Sequence, residues 1–271
     1  MNGHELASAL RAGRPAFGTL ITFASPRLPK ALASVGLDFV FIDTEHIPLD
    51  REQLAWMCVA YRLAGFAPIV RIPSPSPYEA TMVLDGGASG IVAPYIESAE
   101  QVRQLAGAVK CRPLKGRRLN DLLQHGVKPE PLLRDYIQTF CSENVLIVNI
   151  ESVPAMEALD EILAVEELDA VLIGPHDLST SLGYPEQYDR PEFDLAVRKI
   201  VSAARAAGKG AGIHYWHSLE HEKAWISAGA NLIIHSADIL ALVAGLKADL
   251  NALKAAAGVG AHHEPDAIPP V

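Results

Sequence analysis

Cysteine is scarce in this chain, with 3 in 271 residues. Cys58, Cys111 and Cys141 stand too far apart for a zinc knuckle, and an odd number makes no closed disulfide framework. They read as reduced thiols of a cytoplasmic protein. Long apolar runs are missing as well. Residues 1–15 hold no stretch of signal-peptide length, and no window reaches the ~20 apolar residues of a membrane helix, so no membrane partner is expected. Positive charge is the minority: 23 Lys and Arg against 32 Asp and Glu leave a formal charge of −9. Such a surface repels phosphate backbones, which excludes nucleic acid as a partner. An anionic substrate must find a local cationic pocket instead.

Apolar residues make up 49% of the chain, enough for a sizeable core. Short apolar runs recur at 17–21, 39–43, 68–72, 90–94, 145–150, 170–174, 210–214 and 231–235. Most are continuous rather than alternating, as a parallel strand buried on both faces requires. Helical spacing fills the intervals, for example at 51–63, 99–109, 154–165 and 193–207. Ala-Gly pairs at 64–65, 207–208 and 228–229 close helices, and Pro154 and Pro191 suit a first helical turn. Eight β-then-α units in a chain near the ~250 residues of a typical barrel predict a (β/α)8 TIM barrel, with a doubly wound open sheet as the alternative. One domain is expected over 1–257, closing on a C-terminal helix. The tail 258–271 lacks periodicity and is expected to be flexible; no metal is assigned to His262 and His263 within it. The connection from Lys110 to Asn144 is long for its place and reads as a lid or pocket wall on the catalytic face.

Barrel chemistry sits at the C-terminal ends of strands, and the ionisable residues gather there. The second run ends Asp43-Thr44-Glu45-His46, the third at Arg71, the fifth Asn149-Ile150-Glu151 and the sixth Gly174-Pro175-His176-Asp177. The last two end His214-Tyr215-Trp216-His217 and His235-Ser236-Ala237-Asp238. Strand alternation puts Asn149 and Glu151 on one face, toward the barrel interior. Glu151 and Asp177 then offer converging carboxylates, a set suited to magnesium or manganese completed by water and a chelating substrate. Alternatively Asp177 caps the helix that follows it. Arg71 offers a planar fork to the carboxylate of a 2-oxo acid, or else forms a structural salt bridge with Asp43 or Glu45. His46, with carboxylates beside it, is placed to move protons near neutral pH. No lysine falls at a strand C-terminus; Lys209 lies at the opposite end. A Schiff-base lysine is therefore not expected, and the electrophile is read as a metal.

The stretches 39–46 (FVFIDTEH), 67–73 (APIVRIP), 83–97 (VLDGGASGIVAPYIE), 145–152 (VLIVNIES) and 171–185 (VLIGPHDLSTSLGYP) resemble the HpcH/HpaI family of class II pyruvate aldolases. The match covers most of 18–238. The resemblance implies a barrel of the phosphoenolpyruvate/pyruvate type and a hexamer of dimers that exchange a C-terminal helix. It also implies Glu151 and Asp177 as ligands of a divalent cation (Mg2+, Mn2+ or Co2+), and His46 paired with Asp43 for proton transfer. Arg71 falls at the pyruvate keto oxygen, and the backbone of Gly174, Pro175, His176 and Asp177 around the pyruvate carboxylate. Three departures stand out. Asn149 occupies a position that is often glutamine. Gly116-Arg117-Arg118-Leu119 replaces Gly-x-Arg-Gly. His214, Trp216, His217 and His235 replace small or apolar residues; with Arg118 they either shape an acceptor pocket or simply pack.

The expected reaction is reversible aldol cleavage of a 4-hydroxy-2-oxo acid to pyruvate and an aldehyde through a metal-stabilised enolate. The same enolate would serve an oxaloacetate decarboxylase or a citrate-lyase or malyl-thioester-lyase relative. A catalytically silent binding barrel is the remaining class. Arg112, Lys115, Arg117 and Arg118 either favour a carboxylate-bearing aldehyde or form a solvated charge run.

Overall fold

A computed structural model describes residues 1–259. Eight strands close into a parallel barrel in sequence order: β1 (Ala16–Ile21), β2 (Phe39–Asp43), β3 (Ala67–Arg71), β4 (Gly90–Ala93), β5 (Val145–Asn149), β6 (Ala170–Ile173), β7 (Gly210–Tyr215) and β8 (Leu232–Ala237). Every expected strand is present within about two residues, and β8 pairs with β1, so the open-sheet alternative falls. The tail from residue 260 onward, with His262 and His263, lies outside the described residues.

Two apolar layers result from the strand alternation. One face of each strand packs against the surrounding helices, with Val40, Ile42, Val70, Ile91, Val148 and Ile173 in that layer. The other face fills the barrel: Leu20, Phe39, Phe41, Ile69, Val92, Ile147, Leu172 and Ile234. The interior residues continue at the same parity into Asp43, Arg71, Asn149 and His214 at the C-terminal rim. One period-2 pattern therefore builds both the apolar filling and the polar layer above it.

The opposite mouth is closed by a helix that the hydrophobic pattern does not announce, Gly3–Arg11. Asn2 and Glu5 form a capping box at 2.9 Å in each direction. Leu6 and Leu10 enter the barrel core, and Arg11 Nε donates to Asp169 Oδ1 at 2.9 Å. Gly3 is required here, since a Cβ would lie 1.8 Å from the Glu143 carbonyl oxygen.

The long connection corrects an expectation. It leaves the helix Ala99–Lys110, not a strand, and so departs from the N-terminal side of the barrel. Lys110 Nζ donates to the Asn144 carbonyl at 2.5 Å and lies 2.5 Å from Asp169, which leads into β6. Two helices, Gly116–His125 and Pro131–Phe140, fill the connection, and Leu119 and Leu123 of the first pack against Gly107 on the outer flank. It is no lid over the strand ends.

Beyond β8, the helix Asp238–Ala256 has no buried residue. Its Leu242, Val243, Leu246, Leu250 and Leu253 are exposed. The outer side of β8 and β1 is left as a groove of about 900 Å³ walled by Phe17, Leu32, Val35, Ile226 and Ile233.

Candidate active site

Asp43 and Arg71 are register partners on β2 and β3, so their side chains rise together from the barrel interior. Arg71 Nε donates to Asp43 Oδ1 at 2.9 Å, and Nη2 donates to Oδ2, a two-point contact. Burial pushes the fully buried Asp43 carboxyl up, but the Arg71 hydrogen bonds and charge outweigh it and hold it below the usual carboxylate range. Asp43 Oδ1 also accepts the Glu45 N–H at 2.9 Å, which turns the chain sharply after β2. The structural salt bridge weighed for Arg71 is therefore real. The guanidinium still has a free side, so this bond orients it without consuming it.

Glu45 is a site residue that the sequence reading used only as a partner for Arg71. It stands two positions beyond Asp43, the parity of the interior face, which was the available signal. Its Oε2 lies 3.2 Å from Arg71 Nε, yet this buried atom has no hydrogen-bond partner. His46, implied to pair with Asp43, instead approaches Glu45 Oε2 at 3.8 Å, because Arg71 and the turn amide hold Asp43. The charge of His46 still acts on Asp43.

Glu151 extends the inward face of β5, as expected. Its Oε1 accepts the Tyr95 N–H at 2.7 Å and its Oε2 the Asn149 side-chain amide at 2.7 Å. Burial, with the negative charges of Asp177 and Glu45, pushes the Glu151 carboxyl up to about 7, although both hydrogen bonds pull the other way. Gly174 lets β6 end against this side chain, since a Cβ there would meet Glu151 Oε2 at 2.6 Å. Asn149 is fully buried, and its Oδ1 is left without a partner.

Asp177 lies in the first turn of the helix Pro175–Ser181, whose N-cap Gly174 provides no side-chain cap. It is exposed and acts electrostatically on Glu151, so the capping alternative is set aside. His176 points outward, 3.5 Å from Glu186. Among the described residues no group of three or more His, Cys, Asp or Glu is arranged to hold a metal. Two adjacent carboxylates, with a repulsion raising one of them, still fit a cation that takes its other ligands from water and substrate.

Strand parity separates His214 from His235. His214 faces inward, nearly buried, with Nε2 3.1 Å from the Ser236 carbonyl and its ring edge-on to Phe41. Burial pushes its pKa down to about 4, helped by the Arg71 charge. His235 faces outward and binds Glu222 at 2.8 Å. Together with Trp216 it lines the outer groove, not the strand-end cluster. Arg118 is exposed on the flanking helix and bonds Glu130 at 2.7 and 2.6 Å. His217 packs on Tyr188 at 4.7 Å between ring centres. Of the proposed acceptor residues, His214 sits with the polar rim layer, and the Trp216 ring lies against it at 5.1 Å between ring centres. Lys209, at the opposite end, donates to the carbonyls of Val165 and Glu166 at 2.9 and 2.8 Å.

Tyr95, at the exit of β4, carried no sequence signal. It holds φ at 56°, and its phenol lies near the Glu45 carboxylate.

Comparison with known proteins agrees with this geometry. Residues 17–240 match the family model for HpcH/HpaI aldolase/citrate lyase. The hydroxypyruvate/pyruvate aldolase of Roseovarius nubinhibens is 34% identical over 206 residues, 76% of this chain and 80% of that protein. The 2-keto-3-deoxy-L-rhamnonate aldolase of Salmonella gallinarum is 31% identical over 252 residues, 92% of this chain and 93% of that one. Among solved structures, an HpcH/HpaI aldolase from Desulfitobacterium hafniense superposes with a TM-score of 0.79 at 29% identity, covering 92% of this chain and 96% of that one. The citrate synthase SbnG gives a TM-score of 0.79 at 30% identity, covering 93% and 98%. The chain belongs to the HpcH/HpaI aldolase/citrate lyase family.

Proposed function

We propose that this carbon–carbon lyase is a metal-dependent pyruvate aldolase, which reversibly cleaves a 4-hydroxy-2-oxo acid to pyruvate and an aldehyde. The observation that carries the reading is the buried Glu151 carboxyl, pressed by Asp177 and Glu45 and seated on the same rim as Arg71. Glu151 and Asp177 would hold the cation, and magnesium, manganese and cobalt all suit oxygen donors of this kind. Bound there, it supplies Lewis acidity toward the keto oxygen of a 2-oxo acid.

The chain's own residues account for the rest. Arg71, aimed by Asp43, presents its open guanidinium side to the keto oxygen, where it stabilises charge as the methyl group ionises. The first-turn amides of His176 and Asp177, which have no partner inside the helix, suit the substrate carboxylate. His46, beside Glu45 and open to solvent, moves the methyl proton. The buried floor of Phe41 and His214 keeps water from beneath the guanidinium.

A screen of aldehydes with pyruvate tests this reading, run with chelator and with added magnesium, manganese or cobalt. Metal-dependent condensation is expected; activity that survives chelation would overturn it. Decarboxylation of oxaloacetate by the same residues is the second reading, since loss of carbon dioxide leaves the same enolate for Arg71 to stabilise. Pyruvate release from oxaloacetate exceeding aldol cleavage would select it.

The exposed stripe on Asp238–Ala256 and the apolar groove below it also complement each other. We take the chain to be a homo-oligomer in which each helix covers a partner's groove, up to the hexamer its family resemblance implies. The free, buried cysteines suit a cytoplasmic enzyme.

A further inference from the structure

An L residue holds a positive φ only where its surroundings enforce it, and such positions collect at working sites. Tyr95, just past β4, has φ of 56°. Its N–H donates to Glu151 Oε1 at 2.7 Å, and its carbonyl accepts from Gln101 Nε2 at 3.1 Å. Gln101 is itself fixed, since its Oε1 accepts the N–H groups of Glu97 and Ser98 at 2.9 and 3.0 Å. The backbone is thus tied on both sides of the strained residue.

Glycine would hold the same turn and the same bond to Glu151 without strain. Tyr95 is 53% exposed, so burial does not explain the side chain either. What the phenol does reach is polar. Its hydroxyl lies near the Glu45 carboxylate, with Glu151 and Asp177 also near enough to act on it. The side chain thus borders the acidic cluster while remaining half open to solvent.

We propose that Tyr95 is a catalytic residue of the acceptor half-reaction, its hydroxyl hydrogen-bonding the aldehyde oxygen. The inference rests on the aldolase reading and assigns that site a donor it otherwise lacks. In condensation, C3 of the pyruvate enolate bonds the aldehyde carbon, and the carbonyl π pair moves onto oxygen. The Tyr95 O–H donates to that alkoxide and stabilises it; solvent water at the open mouth then supplies the proton of the 4-hydroxyl. Cleavage runs the same steps backward. Removal of the methyl proton falls to His46, so enolate formation does not require the phenol.

The test splits the two halves in the metal-loaded enzyme. Deuterium exchange at the pyruvate methyl group, followed by NMR, reads enolate formation alone. Condensation with the aldehyde that the wild type turns over fastest reads both halves. Tyr95→Phe is expected to exchange within about twofold of wild type, while its condensation kcat falls on the order of 100-fold, as for loss of one oxyanion donor. Tyr95→Gly, which relaxes the turn and keeps the Glu151 bond, should behave the same way. Equal loss of both activities in Tyr95→Phe would make the residue a mere support for Glu151 and overturn the proposal. Unchanged condensation would also overturn it, as would a wild type that exchanges but condenses with no aldehyde. A wild type with no metal-dependent exchange would instead sink the aldolase reading itself.

Discussion

Gly174 and Glu151 are in contact across the β5–β6 boundary: any Cβ on Gly174 would stand 2.6 Å from Glu151 Oε2. The φ at Gly174 is an ordinary −83°, so alanine there meets crowding and not backbone strain. Gly174→Ala should therefore swing the Glu151 carboxylate aside and weaken divalent-cation binding by about 10–100-fold. Titration calorimetry with manganese checks this, and the melting temperature should change little.

Asp43 makes a second, sharper prediction. The Arg71 guanidinium is largely desolvated, and Asp43 is its two-point partner. Asp43→Ala removes both hydrogen bonds of the fork and leaves Glu45, 3.2 Å from Nε, as the nearest carboxylate, and should destabilise the fold by about 1–3 kcal/mol in chemical denaturation. Arg71→Lys keeps the charge but loses the fork, so it should fold normally and lose catalysis.

His214 predicts a pH dependence. Its pKa of about 4 in the folded protein lies below the ordinary value of 6.5. As pH falls, the unfolded chain takes the proton first, so the imidazole contributes stability above 6.5 that is lost on the way down to 4. Between pH 7.5 and 5.5 the wild type should lose about 1 kcal/mol more than His214→Gln in urea unfolding. Equal slopes would show that the ring is not held neutral.

The outer groove predicts assembly. Leu246→Asp together with Leu250→Asp places charge on the exposed stripe of Asp238–Ala256. Sedimentation should show smaller particles than wild type, since a buried unpaired charge opposes association. A wild type that is monomeric at micromolar concentration would remove the basis for helix exchange.

The strands were legible because a barrel strand is apolar on both faces, and no competing pattern produces eight such runs. Asp43, Arg71, Asn149 and Glu151 were legible for a related reason: parity and strand ends alone bring them to the rim. The helix Gly3–Arg11 was not, because only Leu6, Ala9 and Leu10 face the core and nine residues are too few for a periodic signal. The connection after Lys110 was misplaced by counting it from β4, when the helix between them carries the chain to the other end. His235 was assigned by proximity to a strand end, but one residue of register sends it outside. Tyr95 lay beyond reach, since a left-handed tyrosine leaves no mark on hydrophobic pattern or charge.

The most direct test of the central claim is manganese binding by wild type, Glu151→Gln and Asp177→Asn, measured by titration calorimetry alongside methyl-proton exchange of pyruvate. Wild type should bind one cation and exchange only when it is bound. Each variant should lose affinity by at least about 10-fold and lose exchange with it. Cation binding and exchange that persist unchanged in both variants would contradict the account.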